Sequence, residues 1–170
     1  METLWEKVRT LVGSHSERLQ VARLCLENGL AIRKDGIYLN QIEIPTARIA
    51  RAAGVDRRTV VETVRMVSGS QTVGAIFGNL QSAGLSLRGV AKQLGLGIVE
   101  ITADDPKTVG ILSGSSTLLA DAGISIRQAL VDDPEMVPEP KLTLIGNKSV
   151  PGKIIPEMLK IKGVAKVSVY

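Results

Sequence analysis

The second half of the chain alternates apolar and polar residues in short runs that predict strands backed by helices. Four such runs predict strands, over 98–103, 124–131, 141–145 and 164–170. Two longer runs predict helices, one that follows Pro106 and continues through Ala122 and one over 151–162, ended by Gly123 and Gly163. Pro156 lies inside the second of these helices, which is therefore expected to kink or to begin there. The order βαββαβ predicts a ferredoxin-like sandwich with both helices on one face of the sheet.

The first half of the chain predicts helices around a short hairpin. Apolar residues recur at helical spacing in three segments, over 16–28, 46–53 and 57–67. Pro45 starts the second helix, and Asp56 is placed to cap the third. The segment 32–39 contains Asp35-Gly36, a pair favoured in two-residue hairpin turns. The predicted fold class of the whole chain is α+β.

The last two of these helices match the helix-turn-helix pattern. Ala50 and Ala53 are small where the helices cross, Gly54 permits a tight turn, and Val55 fits between the helices. The candidate DNA contacts lie on the second helix and on the hairpin, a candidate wing: Arg57, Arg58, Thr59, Thr63, Arg65, Arg33 and Lys34. Arginines at the start of such a helix reach phosphates or guanine edges in the major groove. Two other interpretations stay open, a helical domain whose arginines only face solvent and a dimerisation module.

A long uncharged stretch separates the two halves. The 22 residues between Arg65 and Arg88 carry no charge, and a stretch of that length is nominally long enough to span a bilayer. Serine, threonine, asparagine and glutamine interrupt the stretch too often for a spanning helix, so a buried or partner-facing helical region is expected. The predicted organisation is a helix-turn-helix domain over 1–67, a helical connector over 68–95 and a βαββαβ domain over 96–170.

Composition narrows the function classes. Hydrophobic residues make up 44% of the 170, which excludes a disordered chain. Four aromatic residues are too few and too scattered to stack single-stranded nucleic acid, and RNA binding is accordingly disfavoured. The single cysteine and the charged first residues predict a cytoplasmic protein. Residues 1–95 carry a net charge of +5 and residues 96–170 carry −1, which fits nucleic-acid binding by the first part.

No motif indicates catalysis or a metal site. His15 is the only histidine and has no flanking catalytic signature, so a surface or capping role is expected. The acidic loop 132–139 lacks the ligand spacing of a calcium loop, and no glycine pattern predicts a phosphate-binding loop. We expect no enzyme activity, no cofactor and no metal.

A further set of short motifs resembles the ACT domain over roughly 96–170. The matching segments are Asp105-Pro106, Gly110-Ile111-Leu112, Ala122-Gly123, Ile124-Ser125-Ile126 and 161–170. With the helix-turn-helix in front, the chain resembles predicted archaeal regulators of amino-acid metabolism that contain an ACT domain. It departs from the ACT pattern where three residues separate Pro106 from Gly110, and where Ser125 stands at a position that is often asparagine.

The resemblance implies a small effector, usually an amino acid, bound where two copies pack side by side. It implies an effector site formed by Asp105, Thr108, Val109, Gly110, Ile111, Leu112 and Ser125. A helix N-terminus in this loop suits a carboxylate, and Gly110 permits close approach to the backbone.

The leading hypothesis is an amino-acid-responsive transcriptional regulator that binds double-stranded DNA as a homodimer or larger homo-oligomer. The leucine-responsive regulator type is similar, with a larger assembly, but lacks the Asp-Pro and Gly-Ile-Leu loop found here. The alternative is a regulatory subunit that binds no DNA and docks on a biosynthetic enzyme through its ACT-like domain.

Overall fold

The computed structural model describes residues 3–170, and the chain forms two compact units, 1–84 and 85–170. Met1 and Glu2, part of the predicted first domain, lie outside the described residues. The fold is mixed α+β, with helices and two antiparallel sheets. None of the described helices is long and apolar enough to cross a membrane.

The first unit contains five helices and a three-stranded antiparallel sheet of order β1-β2-β3 within the described residues. The helices are α1 Leu4–Val12, α2 Ser16–Glu27, α3 Thr46–Ala53, α4 Arg57–Gly69 and α5 Gln71–Gly78. The strands are β1 Leu30–Arg33, β2 Gly36–Leu39 and β3 Ile42–Ile44. Helix α1 and strand β3 are absent from the sequence-based prediction.

One aliphatic core joins these helices to the small sheet, and it includes α5. Phe77 and Val73 of α5 are buried in the same cluster as Ile32 and Val60. The uncharged stretch is therefore a buried helical region in its first part, and residues 68–84 belong to the first unit. Cys25 is also buried here, and burial raises the pKa of its thiol to about 12.

The hairpin turn lies one residue earlier than its sequence predicts. Arg33 pairs with Gly36, so Lys34 and Asp35 form the two-residue turn and Gly36 begins β2. The Tyr38 hydroxyl donates to Asp35 Oδ2 at 2.8 Å, which holds the aspartate in the turn. The prediction of an Asp35-Gly36 turn is therefore wrong by one position.

The second unit has the predicted βαββαβ order. Its elements are β4 Gly97–Ala103, α6 Ile111–Asp121, β5 Ile126–Val131, β6 Lys141–Gly146, α7 Ile154–Leu159 and β7 Val164–Val169. The sheet is antiparallel, with strand order β5-β6-β4-β7. Pro156 is the third residue of α7, within the first turn, where its missing N–H would have no helical partner. The helix thus begins close to the proline, one of the two predicted outcomes.

Different segments of the chain pack on the two faces of this sheet. On one face, Val99, Ile101 and Leu144 pack with residues of α6 and α7. On the other face, Ile98 and Ile145 pack with Leu87, Ala91 and Leu96 of the segment 85–96, which includes a short 3₁₀ helix, Arg88–Val90. Residues 85–95, predicted as part of a connector, therefore pack within the second unit.

Polar contacts also hold the segment 85–96 on its sheet face. The Gln128 side chain accepts from the Leu87 N–H at 2.8 Å and donates to the Leu85 carbonyl at 2.5 Å. Glu100, buried on the same face, forms an ion pair with Arg88 and lies 3.7 Å from Lys141 Nζ. A buried carboxylate of this kind is tolerated only because cations neutralise it.

Candidate functional site

Helices α3 and α4 are joined by a tight turn. Gly54 follows α3 with a φ of 66°, and the Val55 N–H donates to the Ala50 carbonyl at 3.0 Å. A Cβ at Gly54 would meet nothing within 4 Å, so the left-handed backbone alone favours glycine there. Asp56 then caps α4, accepting from the Arg58 N–H at 2.7 Å. The turn residues thus hold both helix ends.

Three of the predicted DNA-contact arginines are exposed on α4. Arg57, Arg58 and Arg65 all face solvent. The Arg57 Nε donates to Thr46 Oγ1 at 3.2 Å, and the Arg58 Nε lies 3.1 Å from Glu62 Oε1. These contacts engage only the Nε atoms and orient the side chains, so the terminal nitrogens of both guanidinium groups face outward for an anion.

Glu62 joins the start of α4 to α2. Its carboxylate accepts from Arg18 at 2.8 Å as well as from Arg58. These hydrogen bonds, the one from Arg18 first, lower the pKa of the Glu62 carboxyl from its ordinary value. Glu62 therefore stays ionised and pairs with both arginines.

A groove runs between α4 and the β1–β2 hairpin, and we call it the hairpin groove. One part, of about 430 Å³, is lined by Lys34 and Arg65 among others. An adjoining part, of about 650 Å³, is lined by Arg57, and Val61 and Thr46 line both parts. Sequence reasoning did not single out Val61 or Thr46, although Arg57, Val61 and Arg65 recur at the four-residue spacing of one helix face.

Three other predicted DNA contacts are engaged elsewhere. Thr63 is fully buried and its hydroxyl donates to the Thr59 carbonyl at 2.8 Å, so it does not reach a ligand at the surface. The Thr59 hydroxyl donates to Glu17 Oε2 at 2.9 Å. Arg33 stacks over the Tyr38 ring at 4.6 Å and donates to the Asn40 carbonyl at 3.2 Å. The predicted DNA contacts that are exposed are therefore Arg57, Arg58, Arg65 and Lys34.

The second unit contains a cavity of about 140 Å³ close to the start of α6. It lies on the helix-covered side of the sheet, between β4, the loop before α6 and the loop between β5 and β6. Its lining residues are Ile101, Ala103, Pro106, Thr108, Ile111, Leu112, Val131, Asp132, Pro134, Pro140, Lys141 and Leu142. Nine of these twelve side chains are apolar.

The two charged residues that line the cavity are neighbours. Asp132 Oδ2 accepts from the Lys141 backbone N–H at 3.1 Å, which closes the base of the β5–β6 loop. Lys141 is about one-third exposed. The Lys141 Nζ lies 3.7 Å from Glu100 Oε2 on the opposite face of the sheet, so the cavity combines apolar walls with the carboxylate of Asp132.

The predicted effector residues divide into three groups. Thr108, Ile111 and Leu112 line the cavity. Asp105, Val109 and Gly110 lie in the same loop but outside the lining; Asp105 accepts from the Lys107 N–H at 2.9 Å, and Gly110 precedes α6 with a φ of 95°. Ser125 lies at the opposite end of the sheet, next to Asn147, whose Oδ1 accepts from its N–H at 3.1 Å.

The position of Ser125 follows from the fold. Helix α6 begins near the end of β4 and runs back along the sheet, so the residue after it lies at the far end. Within one chain, Ser125 and Thr108 therefore lie at opposite ends of the sheet. Sequence reasoning missed Pro134, Pro140 and Lys141 as lining residues of the cavity, because it interpreted the loop 132–139 as a solvated acidic turn.

His15 stands at the N-cap position of α2, and its side chain makes no capping hydrogen bond. Within residues 3–170, no group of three or more His, Cys, Asp or Glu side chains is placed to hold a metal ion.

Comparisons with known proteins give weak likenesses. No protein-family profile and no curated protein sequence matches the chain. Among solved structures, the transcriptional regulator NMB0573 from Neisseria meningitidis in complex with L-Met is 10% identical, over 93% of this chain and 88% of that chain, with a TM-score of 0.29. A glycine-to-threonine mutant of Rv3291c is 13% identical, over 91% of this chain and 90% of that chain, with a TM-score of 0.27. Likenesses at this level carry no argument about function, which has to come from the geometry of the two units.

Proposed function

We propose that this protein is a transcriptional regulator that binds double-stranded DNA through α3 and α4 and responds to an amino acid bound in the cavity of its second unit. The observation that carries the proposal is the surface of α4, where Arg57, Arg58 and Arg65 are exposed after a tight two-helix turn. Lys34 of the hairpin lines the same groove as Arg65. The protein acts as a regulator and not as an enzyme.

The α4 surface suits a duplex for two reasons. Guanidinium groups bind phosphates and guanine edges, and those at the start of a helix can enter the major groove. The acidic residue of α4 itself, Glu62, is already neutralised by Arg18 and Arg58 and repels DNA little. The hairpin tip then serves as a backbone contact through Lys34.

The second unit supplies the response and the assembly. Strand β5 is at the edge of the sheet, and no described strand pairs with its outer side. Antiparallel pairing of two β5 strands about their middle brings Ser125 of the partner subunit opposite Asp132 at the cavity. A homodimer formed in this way completes the predicted effector site and explains why one chain alone separates Ser125 from Thr108. A monomer by light scattering would contradict this arrangement.

The test is the salt dependence of binding to a fluorescent duplex of mixed sequence, followed by anisotropy. Replacing Arg57, Arg58 and Arg65 together by alanine should weaken binding at low salt at least 10-fold and reduce the slope of log K against log salt by about three. The control replaces Lys153, Lys162 and Lys166, three exposed lysines of the second unit, and removes the same charge.

Equal losses in both triple variants would mean nonspecific attraction to a basic protein and would overturn the assignment of α4. Absence of salt-dependent DNA binding in the unmodified protein, together with stoichiometric co-purification of an enzyme, would support the alternative of a docking regulatory subunit.

A further inference from the structure

We propose that a pocket on α1 and α2 binds a phosphodiester group of the DNA duplex, beside the segment that α4 contacts. We call it the Trp5 pocket, and it measures about 290 Å³. Its lining residues are Trp5, Arg9, Ser16, Leu19, Gln20 and Arg23. The inference rests on the proposed function, in which α4 lies against DNA, and it adds a contact surface outside the helix-turn-helix and the hairpin.

Two arginines from different helices lie over the ring of Trp5. The Arg9 guanidinium carbon is 5.7 Å from the ring centroid, and that of Arg23 is 5.1 Å from it. Among residues 3–170, Arg9 pairs with no carboxylate, and Arg23 pairs only with Glu27, whose Oε1 lies 4.0 Å from its Nε. An exposed pair at this distance is weak. Two like charges held at one ring repel each other, so a bound anion stabilises the pair.

The tryptophan at position 5 points to the same role. Its Nε1 is buried and has no hydrogen-bond partner among the described residues. An unpaired buried N–H costs free energy, a cost that phenylalanine would avoid. Tryptophan, however, offers the strongest cation–π surface of the aromatic side chains. The indole ring therefore serves to hold the two guanidinium groups in place, which reduces the conformational entropy that they lose when they bind an anion.

The polar groups of the pocket suit a phosphate. Ser16 and Gln20 lie with Arg23 on one face of α2, at the spacing of successive helical turns. Their hydroxyl and amide groups donate hydrogen bonds, as the guanidinium groups do. No carboxylate of residues 3–170 is part of the lining. Such a set of donors binds the oxygens of a phosphodiester and repels a cation.

The Trp5 pocket is close to the exposed surface of α4. A polar depression of about 410 Å³ lies between the start of α2 and α4, and Ser16 lines both this depression and the Trp5 pocket. Glu17 accepts from the Thr59 hydroxyl of α4, and Arg23 lies about 9 Å farther along α2 than Glu17. Because successive base pairs are about 3.4 Å apart, the pocket reaches the DNA backbone about three base pairs beside the α4 contact.

Helix α4 is flanked on both sides by groups that suit phosphates. The hairpin groove lies on the side of α4 that carries Val61 and Arg65, and α2 lies on the side that carries Thr59. A duplex placed on α4 therefore meets Lys34 of the hairpin at one edge and the Trp5 pocket at the other. Contacts of this kind fix the orientation of a protein on the duplex without reading its sequence.

The test is the salt dependence of binding to a labelled duplex of mixed sequence, followed by anisotropy. Replacing Arg9 and Arg23 together by glutamine should weaken binding at low salt about 10-fold and reduce the slope of log K against log salt by about two. Each single variant should reduce the slope by about one, since each removes one phosphate contact.

The control is the double variant Lys153→Gln with Lys162→Gln, which removes the same charge from exposed positions of the second unit. It should leave the slope unchanged. An equal reduction of the slope in the two double variants, or no reduction in either, would overturn the inference.

Trp5 supplies a second measurement on the unmodified protein, because it is the single tryptophan of the chain. Adding the duplex should change the fluorescence emission of Trp5, and inorganic phosphate at the same phosphate concentration should not. A saturable change with inorganic phosphate alone would assign the pocket to free phosphate and overturn the DNA contact. Duplex binding with unchanged Trp5 emission would also overturn it.

The two proposals fail in different ways. DNA binding that is lost on replacement of Arg57, Arg58 and Arg65 but unchanged on replacement of Arg9 and Arg23 would overturn the Trp5 pocket and leave the assignment of α4 intact. DNA binding that depends on Arg9 and Arg23 alone would support the pocket and overturn the assignment of α4.

Discussion

Two hydroxyl groups, those of Thr63 and Ser115, are fully buried, and only the first has a hydrogen-bond partner among the described residues. Thr63 Oγ1 donates to the Thr59 carbonyl at 2.8 Å inside the first unit. Ser115 Oγ lies in α6 between Ile111 and Leu119 on the buried face, and it has no partner among the described residues. A buried polar group costs free energy unless it is hydrogen-bonded, so these two side chains should respond in opposite directions to removal of the hydroxyl.

We predict that Ser115→Ala raises the free energy of unfolding of the second unit by about 1 kcal/mol, because an unpaired hydroxyl is removed and alanine favours a helix. Thr63→Val keeps the shape of the side chain and should lower the free energy of unfolding of the first unit by about 1 kcal/mol. Thermal melts followed by circular dichroism should show shifts of about 4 to 8 °C in opposite directions. Destabilisation by Ser115→Ala would mean that the hydroxyl has a partner in solution.

Glu62 gives the first unit a pH dependence with a defined sign. Its pKa is lower in the folded protein than the ordinary value of 4.5, mainly because Arg18 and then Arg58 hydrogen-bond the carboxylate. The stabilisation is therefore complete above pH 4.5 and is lost as the pH falls through the lower, folded-state pKa. Glu62→Gln should lower the melting temperature at pH 7, and the difference from the unmodified protein should shrink on acidification.

The control for this series is Glu139→Gln, which removes an exposed carboxylate from the loop of the second unit. It should leave the melting temperature of the first unit unchanged at every pH. A Glu62→Gln difference that grows in acid would contradict the assigned sign.

At the scale of elements, the segment 85–96 is held on its sheet face by polar contacts as well as by apolar side chains. Gln128 makes both of its amide hydrogen bonds to this segment, one to the Leu87 N–H and one to the Leu85 carbonyl. The apolar contribution comes from Leu87, Ala91 and Leu96 against the sheet. A segment with so few buried side chains should depend on the glutamine for its local stability.

We predict that Gln128→Ala increases hydrogen exchange at the Leu87 amide at least 10-fold while the amides of β4 and β6 keep their protection. The reason is that the Leu87 N–H loses its acceptor, whereas the ladder of the sheet is untouched. Arg127→Ala, at the exposed neighbouring position, is the matched control and should leave the Leu87 amide unchanged. Uniform loss of protection throughout the second unit would show that the segment is not an independently opening element.

The elements of the second unit could be predicted from the sequence because short apolar runs predict each strand and a glycine follows each helix within four residues, Gly123 after α6 and Gly163 after α7. The start of α6 and the strand β3 could not. Helix α6 begins at Ile111 and not directly after Pro106, because the Lys107 N–H bonds to the Asp105 side chain and Gly110 adopts a left-handed backbone before the helix. Strand β3, Ile42–Ile44, is too short at three residues to give an alternating pattern. The turn that precedes it depends on the left-handed backbone of Asn40, whose φ is 56°.

The candidate sites were predictable only where they lie on regular elements. Arg57, Arg58 and Arg65 follow from the capped start and the spacing of α4. Thr63 is buried because it lies on the inward face of α4 with Val60 and Val67, so the helical spacing already contradicted its choice as a DNA contact. The cavity draws Pro134 and Pro140 from the loop between β5 and β6, and Lys141 from the start of β6, all more than twenty residues after Ile111 in sequence. Only the pairing of β5 with β6 brings them to the same end of the sheet as the start of α6.

At the scale of the whole molecule, the boundary between the units decides which fragments fold. Charge and hydropathy placed a boundary after residue 67, but Val73 and Phe77 of α5 are buried in the core of the first unit. Residues 85–95 likewise cover Ile98 and Ile145 of the second unit. The boundary that leaves both cores intact lies between Gly84 and Leu85.

We predict that fragments 1–84 and 85–170 each unfold cooperatively, because each keeps a complete core. Fragment 1–67 should not fold, because loss of a buried phenylalanine side chain alone costs about 3–5 kcal/mol against a total stability of about 5–15 kcal/mol, and the rest of α5 is lost with it. The full-length variant Phe77→Ala is the graded control and should weaken the first unit while leaving the melt of the second unit unchanged. The measurements are thermal melts and amide proton spectra of the fragments. A cooperative melt of fragment 1–67 equal to that of fragment 1–84 would contradict the prediction, because the core of the first unit would then be complete without α5.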